Sequence, residues 1–190
     1  MNEKTVINVQ PLRTAGEIAE FREAIRVSSR SGQADRNLLL FNIAINTGLR
    51  IGDIVKLRVE QVRGRSSIVV SEGKTIKKRT VHLSAIMADI ADYIDDLPGA
   101  TEWLFPSRKG DGHITTTQAY RIYAKAADYI GRDDIGTHTG RKTFGYHYYQ
   151  RTKDVATLME IFNHANYTET KRYIGIRDDE IADSLRDFKL

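Results

Sequence analysis

The chain is 190 residues long, with 41% hydrophobic and 28% charged residues, which suits one domain with a packed core rather than a fibre or a disordered chain. It contains no cysteine, and this removes disulfides, thiolate catalysis, iron–sulfur clusters and cysteine-type zinc sites at once. The net charge of +4 is segregated: residues 50–80 hold nine Lys/Arg against three Asp/Glu, 81–137 five against nine, 138–177 seven against three, and 178–190 two against five.

Such separation predicts one positive face and suits a polyanionic partner. Apolar runs such as Leu38 to Phe41 fall far short of the ~18 residues that cross a bilayer. The first ten residues have no apolar core of signal-peptide type. The expectation is a soluble cytoplasmic protein with no membrane partner.

In chain order, residues 1–13 read as a strand-prone arm or linker. Thr14 offers a helix cap before Ile18, Phe21, Ile25 and Val27, which recur at roughly helical spacing. A second helix is expected from about Arg36, with Leu38–Leu40, Ile43 and Ile45 apolar, ending at Thr47-Gly48, where glycine can take a left-handed cap. A short third helix should turn Ile51, Ile54, Val55 and Leu57 inward. The pattern then changes: 67–71 and 79–83 are short and β-branched, and a Lys-rich stretch, 72–78, separates them, so a small antiparallel hairpin is expected. Helical periodicity returns at 85–97, stops at Pro98-Gly99, and resumes after the loop 105–110 in a helix capped within 115–117 and running to about 130. Three short helices follow at 139–151, 154–163 and 168–174. The tail 178–190 places Ile181, Leu185 and Phe188 on one apolar stripe. The expected fold class is mainly α with a small antiparallel β-sheet (α+β). Its domain, 14–177, lies between the arm and the tail helix.

The chemistry concentrates in cations and one tyrosine: Arg50, Lys74, His138, Arg141, His164 and Tyr173. His138 and Arg141 are three apart and point the same way if a helix begins there. His164 precedes Tyr173 by nine residues, within reach of a shared pocket. These groups answer the needs of phosphoryl transfer without a metal. Two arginines can hold the non-bridging oxygens of a pentacovalent dianion. A tyrosine can attack and later leave as phenolate, and a lysine or histidine can protonate a departing hydroxyl. Each has a plainer reading. Arg50 could cap its helix or pair with Asp53, His138 and Arg141 could simply start a helix, and His164 could cap a C-terminus. Lys74 shares its loop with Lys77 and Lys78, Lys77 being its nearest rival. Tyr146, Tyr148, Tyr149 and Tyr167 are the competing tyrosines. The five histidines form no ligand motif, so no metal and no cofactor is expected.

From about Thr47 to Ile176 the chain resembles the catalytic domain of the tyrosine recombinases, or phage integrases. Thr47-Gly-Leu-Arg-Ile51 resembles the box of the first arginine, and 104–110 a common mid-domain loop. His138-Thr-Gly-Arg141 is similar to the His-x-x-Arg box. Leu158–His164 followed by Thr170-Lys-Arg-Tyr173 resembles the final helix pair. The box departs from the usual pattern in Thr139, Gly140 and the following Lys142, and fewer than 50 residues precede Arg50. The resemblance implies that fold and a site-specific recombinase acting through a 3′-phosphotyrosyl intermediate in integration, excision or inversion. Its alternatives are a type IB topoisomerase-like nicking and closing enzyme, or an inactive DNA-binding regulator. Arg50 and Arg141 would clamp the phosphate, with His138 in proton transfer and His164 bonded to the phosphate. Lys74 would protonate the leaving oxygen, and Tyr173 would be the nucleophile. Lys77, Lys78, Arg79, Lys142, Lys171 and Arg172 are the expected DNA contacts. The implied partners are double-stranded DNA, a homotetramer exchanging tails, and accessory DNA-bending or directionality factors. The implied setting is a phage or mobile element at the nucleoid. The chain would be either an excised catalytic domain or a short single-domain member.

Overall fold

The structure, a computed structural model, describes residues 9–71, 78–97, 99, 101–108, 110–176, 185, 186, 188 and 189. Helix α1 (Ala15–Ser28) begins where Thr14 accepts from the Glu17 N–H while the Glu17 carboxylate binds back to the Thr14 N–H, a reciprocal cap worth about 1 kcal/mol. Its apolar face is narrower than the spacing suggests, because Val27 is exposed while Phe21, Ala24 and Ile25 are buried. Helix α2 (Ala34–Thr47) starts two residues before the expected Arg36 and ends at Gly48, whose φ of 64° is left-handed. A Cβ there would also lie 2.6 Å from the Phe144 ring, so both conformation and space demand glycine.

Two one-turn helices follow, α3 (Ile51–Ile54) and α4 (Val59–Val62). The second is absent from the expected order, since four residues are too few for periodicity to register. Strands β1 (Ser67–Ser71) and β2 (Lys78–His82) pair antiparallel, with Ser67 opposite His82 and Ser71 opposite Lys78. Ile68, Val70 and Val81 face the core while Val69 faces solvent, the period-two pattern of a sheet with one wet side. Strand β2 stops one residue short of Leu83, which precedes a 3₁₀ turn at Ser84–Ile86 and α5 (Met87–Asp95).

Helix α6 (Thr116–Tyr129) has a second reciprocal cap, between Thr115 and Gln118. It packs with α1 and α2 through a triad of edge-to-face rings, Phe21, Phe41 and Tyr123, whose centroids are 5.0 to 6.0 Å apart. Helices α7 (Thr139–Thr152), α8 (Val155–Phe162) and α9 (Tyr167–Tyr173) complete the order. The segment before α1 is strapped onto α7. The Leu12 N–H donates to Thr143 Oγ1 at 2.9 Å, His147 Nε2 bonds the Leu12 carbonyl at 3.0 Å, and Lys142 Nζ donates to the Val9 carbonyl at 2.7 Å.

Among the described residues, no helix is long and apolar enough to cross a membrane. The architecture is mainly helical with one two-stranded antiparallel sheet.

Candidate active site

Arg50 leaves the end of α2 just after the Gly48 cap, and Arg141 enters from the first turn of α7. Arg141 is almost wholly buried, and its guanidinium donates to the Gly48 carbonyl and, at 2.8 Å, to the Phe162 carbonyl. The Phe162 ring lies 4.2 Å beneath it. Arg50 reaches the same Phe162 carbonyl at 3.4 Å. One carbonyl at the end of α8 thus links two arginines from different helices. The close approach of α7 to α2 follows from Gly140, where a Cβ would stand 2.6 Å from that of Ala44. The glycine that departs from the expected box is therefore what lets Arg141 come near Gly48. Thr139 accepts from the Gly136 N–H at 3.0 Å and fixes the start of the helix.

Tyr173 closes α9 with its hydroxyl 3.1 Å from His138 Nδ1. Burial pushes its phenol above the usual range, while the charges of Arg141 and Arg50 and a hydrogen bond from Arg141 pull the other way. His164 stacks edge-on against Tyr173 with centroids 5.0 Å apart, and its Nδ1 meets Thr170 Oγ1 at 3.1 Å. The end of α8 is capped by Asn163 in left-handed geometry (φ 50°), with its N–H bonded to the Glu160 and Met159 carbonyls. Arg50, His138, Arg141, His164 and Tyr173 therefore lie together; spacing pairs His138 with Arg141 and His164 with Tyr173, and the resemblance alone adds Arg50.

Of the remaining candidates, Lys74 and Lys77 lie outside the described residues. Lys78 is exposed on β2, and Arg79 donates to the Thr47 carbonyl at 3.3 Å, beside Gly48. Lys142 sits over the Tyr173 ring at 5.2 Å, and burial lowers its ammonium below the usual range. Lys171 lies against Tyr149 and Tyr167, and Arg172 is exposed. Sequence reasoning missed three supports: the Phe162 carbonyl, the fully buried Thr170, and Arg13. Arg13 donates to the Gly175 carbonyl at 2.8 Å, two residues beyond the tyrosine. A backbone carbonyl has no sequence signature, and Arg13 acts across 162 positions.

A mainly helical domain with one two-stranded sheet, in which two arginines and two histidines gather about one tyrosine, has the architecture of a tyrosine recombinase catalytic domain. Residues 16–180 match the Phage integrase family, and the chain belongs to it as a tyrosine recombinase catalytic domain. It is 42% identical over 172 residues to a probable integrase/recombinase, YoeC, of Bacillus subtilis, covering 90% of this chain and 92% of that one. It is 28% identical to tyrosine recombinase XerD of Corynebacterium glutamicum over 90% of this chain but only 57% of that relative. The fold is also that of XerH recombinase bound to a palindromic difH substrate, with a TM-score of 0.75 at 22% identity over 93% of this chain and 52% of that one.

Proposed function

We propose that the chain cuts and rejoins double-stranded DNA at a specific site through a covalent bond between Tyr173 and a 3′-phosphate. The observation that carries this reading is the Tyr173 hydroxyl, 3.1 Å from His138 Nδ1 and bonded by Arg141 beside Arg50. A phenol is protonated at neutral pH and burial raises this one further, so attack needs a proton acceptor, and His138 Nδ1, 3.1 Å away, serves as one when it carries no proton. As the tyrosine oxygen bonds to phosphorus, its proton passes to His138 and the bond from phosphorus to the 5′-oxygen breaks. Lys74 supplies the proton that makes the leaving oxygen a 5′-hydroxyl. Arg50 and Arg141 hold the non-bridging oxygens of the dianionic transition state, and His164, fixed by Thr170, bonds the same phosphate. The 5′-hydroxyl of a partner strand then attacks the phosphotyrosine and releases Tyr173, so that no bond energy is lost to water.

In this reading four copies assemble on two duplexes and exchange residues 178–190, which fits the exposure of Leu185 and Phe188. Lys77, Lys78, Arg79, Lys142, Lys171 and Arg172 add backbone contacts. The setting is the cytoplasmic nucleoid, serving a phage or mobile element with accessory bending or directionality factors. The test is a duplex selected from a random pool for binding, nicked so that cleavage traps the enzyme. The wild type should form a denaturant-resistant complex and Tyr173→Phe none. Equal trapping by the variant would move the nucleophile elsewhere.

A further inference from the structure

A cavity of about 580 Å³ opens between the end of α1, the start of α2, one face of α6 and the loop before α6. No residue of the tyrosine pocket lines it. Arg30, Arg36, Arg108, Arg121 and Lys125 do, and no Asp or Glu is among its lining residues. Among the described residues, none of the five forms an ion pair. Arg36 donates instead to neutral acceptors, the Pro106 carbonyl, Gln33 and Asn37, and Lys125 donates to the Ser28 carbonyl. Arg36 is held below the usual guanidinium range by burial and by the like charge of Arg108. Five cations around one cleft without a carboxylate raise the local potential and draw in an anion.

Two helices connect the cleft to the residues around Arg50. Helix α2, 14 residues long, runs from Arg36 at the cleft toward Arg50. At ~1.5 Å per residue that is about 20 Å, or roughly six base-pair steps of ~3.4 Å. Helix α6 joins the two places as well: Thr116 lies 3.5 Å from where a Cβ on Gly52 would sit, and Gln118, two residues on, lines the cleft.

We propose that this cleft is a second phosphate-binding site, gripping the DNA backbone within about six base pairs of the phosphate held by Arg50 and Arg141. The inference rests on the DNA reading given above. Guanidinium forks match phosphodiester oxygens. The acidic tail of a second copy suits the cleft less well, because only Ile114 and Ile122 could cover its stripe of Ile181, Leu185 and Phe188.

The exposed pair is changed together, as Arg108→Gln with Arg121→Gln, and binding to a 30-base-pair duplex of arbitrary sequence is measured against salt. Losing two phosphate contacts should make the slope of log affinity against log salt shallower by about 2 and weaken binding about thirtyfold at ~0.15 M salt. Arg151→Gln with Lys153→Gln, an exposed basic pair at the far end of α7, should leave the slope unchanged. Trapping on the nicked duplex at saturating DNA should also be unchanged in the Arg108/Arg121 variant, since the tyrosine pocket is untouched. An unaltered slope, or an equal fall in both double variants, overturns the second site while leaving the catalytic reading intact. Binding of a 178–190 peptide to the wild type but not to the Arg108/Arg121 variant, with the DNA slope unaltered, assigns the cleft to the tail and overturns the proposal. Failure of the wild type to bind any duplex overturns both readings.

Discussion

The described residues form two apolar clusters of very different size, and the tyrosine site straddles them. The larger joins α1, α2, α5, α6 and the sheet, from Leu12 through Phe21, Phe41 and Tyr123 to Ile135. The smaller has only Leu158, Phe162 and Ile174 fully buried, with Phe144, Tyr148, Tyr149, Ile161, Tyr173 and Ile176 partly buried around them. Arg50 follows α2 of the first and Arg141 bridges the two, bonding the Gly48 carbonyl and lying over the Phe162 ring, whereas His164 and Tyr173 ride on the second. In the proposed reading the phosphate clamp is rooted in the broad scaffold, and the nucleophile sits in a small module that can open locally at a lower cost than global unfolding. The Phe162 carbonyl, bonded by both arginines, joins the two.

The largest expected effect comes from cutting that joint. Arg141→Ala removes the donor to two carbonyls, Gly48 and Phe162. The Gly48 carbonyl loses its donor, the Phe162 carbonyl keeps only the longer bond from Arg50, and the Phe162 ring loses the buried side chain stacked on it. At ~1–3 kcal/mol for a buried acceptor left unsatisfied, plus lost packing, the variant should be destabilised by at least about 2 kcal/mol in a urea titration. Trapping on the nicked duplex should fall at least ~10²-fold. A stable variant with near-normal trapping would mean that the two clusters are not joined there.

Gly145→Ala is next. A Cβ at this position would lie 2.6 Å from Ile174 and 2.7 Å from Phe162, pressing α7 against the small cluster. Overpacking of this kind costs about 1–3 kcal/mol. Amide exchange should quicken across 155–174 while the amides of α2 keep their protection. Equal loss of protection in α2 would make the two clusters one cooperative unit.

A finer contrast compares one lost methyl in each cluster. Ile90→Val and Ile174→Val should each cost about 0.5–1.5 kcal/mol, with Ile90 and Ile174 both essentially buried. Only the Ile174 variant should slow trapping at saturating DNA, because only that side chain packs beneath the tyrosine module. Equal slowing by both variants would remove the distinction.

The large cluster was the more legible of the two in the sequence. Periodicity and caps locate α1, α2, α5 and α6 because long amphipathic helices repeat their signal, and Thr14 and Gly48 mark their ends. The one-turn α4 and the exposed Val27 escape, since a single turn has no period and tertiary packing decides which edge of a face is covered. In the small cluster, spacing brings His164 and Tyr173 together correctly. It is blind to what orients them: Thr170 behind His164, a main-chain carbonyl between two arginines, and Arg13 reaching Gly175 from the far end of the chain. In the sequence Gly140 is only a departure from the usual box. Its effect, the approach to Ala44, needs a neighbour that no local pattern reveals.

A gain in stability at neutral pH tests the large cluster alone. The Tyr123 hydroxyl is fully buried with no hydrogen-bond partner among the described residues, and burial pushes its phenol upward. Burial likewise raises Tyr93, to about 12, and Tyr173. A raised phenol favours the fold while protonated, so this stability is complete below the unfolded value near 10 and is lost as pH climbs through the folded value. Tyr123→Phe removes both a polar atom without a partner and one of the groups that resist ionisation. It should therefore gain about 1 kcal/mol at pH 7, or roughly 2–4 °C in Tm for a domain of this size. The loss of Tm between pH 9 and 11 should be less steep, and trapping unchanged. A fall in Tm at pH 7 would show that the hydroxyl has a partner, and slower trapping would tie the phenylalanine–tyrosine triad to the nucleophile and weaken the division between the clusters.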